Sequence, residues 1–371
     1  MNTTQIYSIV NDTAAQAMGS QTLAVVDVQG LISLGNAVLS SSTNTEAFLN
    51  TLAQRIGRTI WRYRQYDNKF KDLLVSDMEW GAILQKIRVE MPQAVADPAY
   101  GLTDGVSVDP FVVHKPQANQ KLFVTRTPYM FEITIQRETL REAFLSEEAM
   151  VSFIALIFGE VRNAIELSLE NLGRLTLAEA IAETGATQQI NLITEFNAEV
   201  PAADQVTSSD CLQSEKFLRY VIYRINNVID MVQDMSTLFN DGTFPTFTNK
   251  ENMRIKILYQ VQRRLETCVQ YAAFHDQFTS IDNGYKTVNF WQAEDTPMGI
   301  LIKRASDGTE TAIDNCIAVL HDRDAFGIYQ IDEAVLTSPV NQRGMYYNQA
   351  WHEKQGRFLD TSENCVIFLL A

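Results

Sequence analysis

The sequence predicts an α+β fold, and three observations predict it. Two long stretches, Ser146–Ala182 and Glu215–Met235, repeat apolar residues at helical spacing. Two short stretches alternate apolar and polar residues: Ile87, Val89 and Met91, then Phe131, Ile133 and Ile135. The last third carries several short apolar segments without the regular strand–helix alternation of a doubly wound sheet. The chain has 371 residues, 46% hydrophobic and 20% charged, which is globular composition with ample apolar surface for a core.

Composition excludes several classes of function. The longest apolar runs, Val151–Phe158 and Cys365–Ala371, fall well short of the ~20 residues that span a bilayer. The opening MNTTQIYSIVNDT has neither a basic nor an apolar signal region, so no secretory leader is expected. Thirty basic against 45 acidic residues leave a net charge of −15. That balance favours solubility and argues against a general nucleic-acid coat. Cys211, Cys268, Cys316 and Cys365 stand too far apart for metal-ligand or redox spacing, and read as reduced, mostly buried thiols of a cytosolic chain.

Residues 1–44 mix small, polar and apolar side chains with no Lys or Arg. They read as an arm ordered by a partner surface, or as an ordinary N-terminal subdomain. Thr45–Arg64 has helical spacing through Phe48, Leu52, Ile56 and Ile60. The segment Arg55–Lys71 turns basic, with Trp61, Tyr63, Tyr66 and Phe70 interleaved. Basic plus aromatic suits nucleic acid, but one short segment in an acidic chain reads better as a solvated face and a subunit contact.

Between the two alternating strands lie Pro92–Met130, holding Pro92, Pro98, Pro110, Pro116 and Pro128, five of the nine prolines. A connection that long is uncommon inside a compact domain. It predicts a two-stranded excursion, which is marginal alone in water and needs cover from outside. Thr139 with Glu142 fits a capping box. Ser146 then caps a helix through Ala182, with Glu147 and Glu148 in its first turn and Gly159 and Gly173 as candidate kinks. A coiled coil fits less well, because the heptad drifts. Residues 183–214 read as loop. Strands are expected at Ile255–Tyr259, Val288–Trp291, Ile317–Leu320, Phe326–Ile331, Ala334–Thr337, Gly344–Glu353 and Asn364–Leu370, with a helix at Gln262–Phe274.

The search for chemistry returns little. There is no phosphate loop, no dinucleotide fingerprint, no H-E-x-x-H and no nucleophile elbow. His321-Asp322-Arg323-Asp324 reads as a turn of solvated charges rather than a cation site. Cys268 and His275 lie on one expected helix face, but a nucleophile pair also needs activation and an oxyanion site. No catalytic residue, metal or cofactor is assigned.

The order of parts resembles the major capsid protein of tailed bacteriophages with the Hong Kong 97-type shell fold, in particular that of small short-tailed phages of the phi-29 kind. The stretches that carry the resemblance are Gln54-Arg55-Ile56-Gly57-Arg58, Arg126–Phe144 followed by SEEAMVSFIALIFGEVRNAIE, Ile317–Phe326, and Asn341–Asn348 with Trp351-His352. They cover about residues 50–371, in order. The resemblance implies an N-terminal arm and helix over 1–66, an E-loop ribbon over 67–138 and a P-domain spine helix over 139–200. It further implies an A-domain over 201–329 and P-domain closing strands over 330–371.

It also implies no enzymatic activity and self-assembly, as hexamers and pentamers, into an icosahedral virion capsid built in the host bacterial cytoplasm. A separate scaffolding protein, a portal protein and packaged double-stranded DNA on the inner side are the implied partners, with no membrane. Arg55, Arg58, Arg62, Lys86, Arg88, Lys115, Lys121, Arg126 and Arg343 are the subunit-interface residues it suggests. Lys115, Asn119 and Lys121 lie in the ribbon, but no partner Asn and catalytic Glu for a covalent cross-link is identified. The end at Ala371 leaves no room for an extra immunoglobulin-like domain. An encapsulin-type nanocompartment is the same-fold alternative, and a soluble α+β enzyme the alternative of another class.

Overall fold

The computed structural model describes residues 3–19, 25–58, 66–75, 84–92, 98–101, 111–116, 118–272 and 284–371, with positions 94, 96, 104–105, 107, 109 and 281. Three helices open the chain: α1 (Thr3–Met18), α2 (Val28–Leu39) and α3 (Ser42–Arg58). Strands β1 (Leu84–Val89), β2 (Ala118–Phe123) and β3 (Arg126–Gln136) follow, then α4 (Arg137–Ala143) and the long α5 (Glu147–Ala182). Next come β4 (Gln189–Asn191), α6 (Leu192–Glu199), α7 (Glu215–Met231), β5 (Met253–Leu258), α8 (Tyr259–Ala272) and β6 (Tyr285–Val288). A hairpin of β7 (Ile300–Lys303) and β8 (Glu310–Ile313) precedes β9 (Cys316–Asp322), β10 (Phe326–Thr337), β11 (Tyr346–Leu359) and β12 (Cys365–Leu369).

Of the two readings of the N-terminal stretch, the described residues 3–19 and 25–44 follow the ordinary subdomain, packed on the core of their own chain. Ile6, Val10 and Ala14 recur every fourth residue along α1 and bury one stripe in the same core as Phe48, Leu49 and Leu52 of α3. Polar residues in this stretch are satisfied locally, which hides the helix from a composition reading. The Thr13 hydroxyl donates to Ile9 O at 2.6 Å, and Asn11 bonds the Val25 backbone in both directions. Asp27 caps α2 by accepting from Gly30 N. At Gly35 the helix meets Phe144 so closely that an added Cβ would sit 2.5 Å from the Phe144 Cβ.

The long helix forms as expected. Ser146 accepts from Ala149 N at 3.1 Å, two glutamates fill the first turn, and 36 residues run unbroken through Gly159 and Gly173. At ~1.5 Å per residue that is about 54 Å. Its last turn has no basic residue of its own. Arg304, from the β7–β8 connection, supplies the cation and donates to Ala182 O at 2.8 Å. The preceding α4 starts at Arg137 rather than at a Thr139 cap, because Arg137 N is taken by Met345 O and its guanidinium by Leu39 O.

Two sheets flank this helix. The smaller has the order β10-β11-β3, all antiparallel. Phe326–Thr337 is one strand with a register shift between Ile331 and Glu333, not two separate strands. The larger has the order β4-β12-β9-β5-β6. Its central strands β9 and β12 are buried at every position, as strands covered on both faces must be. The expected boundaries at 200/201 and 329/330 do not follow these sheets. β4 and β12 join the larger sheet with β5, β6 and β9, and β10 straddles 329/330. The 183–214 stretch, read as loop, holds β4 and α6. The strand expected at Val288–Trp291 is β6, ending at Val288; Trp291 lies beyond it, buried, its indole donating to Cys316 O at 2.7 Å.

Gly35→Ala should cost about 1–3 kcal/mol through overpacking against Phe144, read as a lower urea midpoint; an unchanged midpoint contradicts the close helix approach.

Candidate subunit interface

The excursion predicted between Ile87 and Phe131 exists, with a different pairing. β1 pairs with β2, a strand the polar sequence ANQKLF does not announce, and β3 pairs with β11 in the smaller sheet. The β1–β2 register places Leu84, Lys86 and Arg88 opposite Phe123, Lys121 and Asn119 on one face. Gln85, Ile87 and Val89 stand opposite Leu122, Gln120 and Ala118 on the other.

The polarity of these faces is inverted relative to an ordinary half-buried strand. The charged face lies against the body of its own chain. Lys86 Nζ is 2.7 Å from both Asp360 and Glu363, and Lys121 Nζ is 2.6 Å from the other Asp360 oxygen. Arg88 reaches Glu363 at 3.8 Å and lies over the Phe244 ring. At the foot of the ribbon Phe123 packs on Phe358 and the Tyr329 hydroxyl donates to Thr125 O at 2.8 Å. The apolar face points away: Ile87 is 63% exposed and Leu122 54%. Beyond the strands, Tyr100 is 91% exposed and Phe111 85%. Large apolar residues exposed on one ribbon face make it a candidate surface for another molecule.

Asp360 is the centre of the anchor. Its side chain is almost fully buried, it accepts from both lysines and Ser362, and it sits in the turn between β11 and β12. Burial pushes its carboxyl up, but the Lys121 and Lys86 hydrogen bonds more than reverse this and hold it well below the ordinary carboxylate range. Burial likewise pulls Lys86 down, and Asp360 with Glu363 reverses it, so its ammonium is held above the ordinary lysine value.

The residues suggested by sequence fall into three groups. Lys86, Arg88 and Lys121 converge on Asp360 and Glu363 of their own chain. Lys115, Arg126 and Arg343 are exposed and dispersed. Arg55 and Arg58 lie on the α3 backbone with side chains outside the described residues, and Arg62, Trp61 and Tyr63 lie outside them altogether. The Cys268 side chain and His275 are also outside the described residues. His321 is not part of a solvated turn. It is fully buried on β9, stacked on Phe326 at 4.2 Å, and burial first, then the Lys256 charge, pushes it down to about 3. Among the described residues no group of His, Cys, Asp and Glu is arranged to hold a metal, and no helix is long and apolar enough to cross a membrane.

The sequence profile of the Phi29-like phage major capsid proteins matches residues 9–369. The chain belongs to that family. It is 22% identical to the major capsid protein of Bacillus phage PZA, over 99% of this chain and 73% of that one. Among solved structures it is similar to a chain of the Staphylococcus phage Andhra capsid, with a TM-score of 0.56 and 12% identity over 84% of this chain and 88% of that one. A chain from a bacteriophage P68 structure of the head fiber and inner core protein also gives 0.56, at 11% identity over 84% and 87%. The fold is thus of the phage capsid kind, and the protein is a structural, oligomeric component of a phage virion shell rather than an enzyme.

Asp360→Asn should lower stability by about 1–2 kcal/mol near neutral pH, discounted for the solvent around the lysines. The folded-state carboxyl titrates below the unfolded one, so its contribution is fully present above about pH 5 and is lost as pH falls. The gap in urea midpoint between wild type and Asp360→Asn should therefore shrink progressively as pH falls below about 4, the unfolded carboxyl's value. A gap that does not depend on pH contradicts the ion-pair anchor.

Proposed function

We propose that each copy lays its ribbon over a neighbouring copy, and that hexamers and pentamers joined in this way close an icosahedral shell around packaged phage DNA. The observation that carries this reading is the inverted ribbon. Lys86, Lys121 and Arg88 are spent on their own chain, so Ile87, Val89 and Leu122, with Tyr100 and Phe111 between the strands, are left for another molecule. In a homo-oligomer every copy both offers a ribbon and receives one, so modest contacts accumulate around a closed ring.

In this reading the interface is apolar at its centre, and Lys115, Arg126 and Arg343 lie at its rim. Arg55, Arg58 and Arg62 keep a contact role on sequence position alone. The ribbon spans 84–123, and α5 with β3, β10 and β11 forms the peripheral domain. The five-stranded sheet with α6, α7 and α8 forms the axial domain. A separate scaffolding protein, a portal and assembly in the host bacterial cytoplasm complete the proposal. The net charge of −15 suits an inner wall that does not cling to packaged DNA.

Two variants test it. Replacing residues 92–117 by a short turn should leave a folded subunit, by circular dichroism, that builds no shells in negative-stain micrographs. Ile87→Asp with Leu122→Asp, which removes no intrachain contact of the charged face, should do the same. Shells from either folded variant would refute the ribbon contact.

A further inference from the structure

Residues 66–75 form a strap that precedes the ribbon and touches four elements at once. Tyr66 donates through its hydroxyl to Glu170 of α5 at 2.7 Å and through its backbone to Asn163. Val75 N donates to Ile328 O of β10 at 2.9 Å. Between these ends, Asp72 meets Lys256 of β5 at 2.5 Å, with Lys286 of β6 at 3.6 Å. Lys256 is wholly buried, in a strand whose neighbours Ile255, Ile257 and Leu258 are core residues. The Phe70 ring is shared by two cations, Lys256 at 4.9 Å and Arg174 of α5 at 5.1 Å. Gly173 admits the ring, since a Cβ there would lie 2.9 Å from the Phe70 Cβ.

A buried ion pair is a poor way to gain stability. Replacing such a pair by apolar residues of similar volume is often neutral or stabilising, whereas removing one partner leaves an uncompensated charge. A methionine at 256 would pack among isoleucines without needing a partner. What the pair adds is position: only one placement of the strap satisfies Lys256, and the same placement puts Phe70 against Arg174.

We infer that Asp72, Lys256 and Phe70 form a pin that fixes the five-stranded sheet relative to α5 and the ribbon root, and thereby sets the curvature at which copies join. The inference rests on the reading of α5 and the five-stranded sheet as parts of separate domains of a shell subunit. These are positioning residues: Phe70 and Lys256 are fully buried within their own chain and act through the orientation of the elements they link.

The test compares shells of wild type, the double variant Asp72→Leu/Lys256→Met and, separately, Phe70→Leu, all full-length and expressed under the conditions that yield wild-type shells. The double variant should keep the wild-type urea midpoint or exceed it. Both variants should still assemble, into particles of mixed diameter or tubes, where wild type gives one diameter. Wild-type diameters from either variant overturn the pin. A double variant that fails to fold also overturns it, because the pair is then a stabilising contact and not a positional one. Loss of all assembly, the outcome expected from deleting the ribbon, is separate: seen in folded pin variants, it assigns these residues to assembly itself and overturns the curvature role.

Discussion

The Asp360 carboxylate decides which way the ribbon faces. It is buried in the β11–β12 turn, where an unpaired charge is costly, and Lys86 and Lys121 are the cations that meet it. Both lysines lie on the same face of β1–β2 and in register with each other. Satisfying Asp360 therefore turns the charged face of the ribbon inward. The strict two-residue period of a strand then forces Ile87, Val89 and Leu122 outward. In the proposed reading, this exposed apolar surface on an excursion that is marginal alone is what a second copy covers.

The rest of the molecule holds this ribbon at its foot. Tyr329, Ile331 and Phe358 form a small apolar cluster of their own, with Leu84 and Phe123 of the ribbon packed against it. Gly327 and Gly356 stand opposite Phe358 and Tyr329 across the β10–β11 ladder, and each aromatic ring covers its glycine. A side chain at either glycine would displace the ring that seats the ribbon. On the other side, the strap through Phe70 and Asp72 ties the ribbon root to α5 and to the larger sheet. The foot of the ribbon, at Leu84 and Phe123, thus sits on a packed platform.

Much of this was legible in the sequence. The spine helix was readable to its cap because Ser146 and two glutamates precede a clean helical period, and β9 and β12 because their apolar runs are continuous. The excursion was readable from its prolines. The direction of the ribbon was not, because alternation gives two faces without saying which one is buried. An alternating strand is ordinarily taken as apolar side in, and only the distant Asp360 and Glu363 reverse it. The same limit applies to Lys86, Arg88 and Lys121. Their charge marks them as subunit-interface candidates, whereas in the structure they pair with carboxylates of their own chain. β2 was missed because ANQKLF has a single apolar pair, and α1 because its stripe of Ile6, Val10 and Ala14 is diluted by threonine and asparagine that bond to nearby backbone.

The most direct measurement is thiol labelling of cysteines introduced one at a time on opposite ribbon faces, Leu122→Cys and Asn119→Cys, in free subunits and in assembled shells, with the wild type as the blank for the native thiols. An outward apolar face covered by a neighbour predicts that Leu122→Cys reacts readily in the free subunit and becomes protected in the shell. The Asn119→Cys reporter should change little between the two. Equal reactivity of Leu122→Cys in both states, or protection already present in the free subunit, would contradict the account.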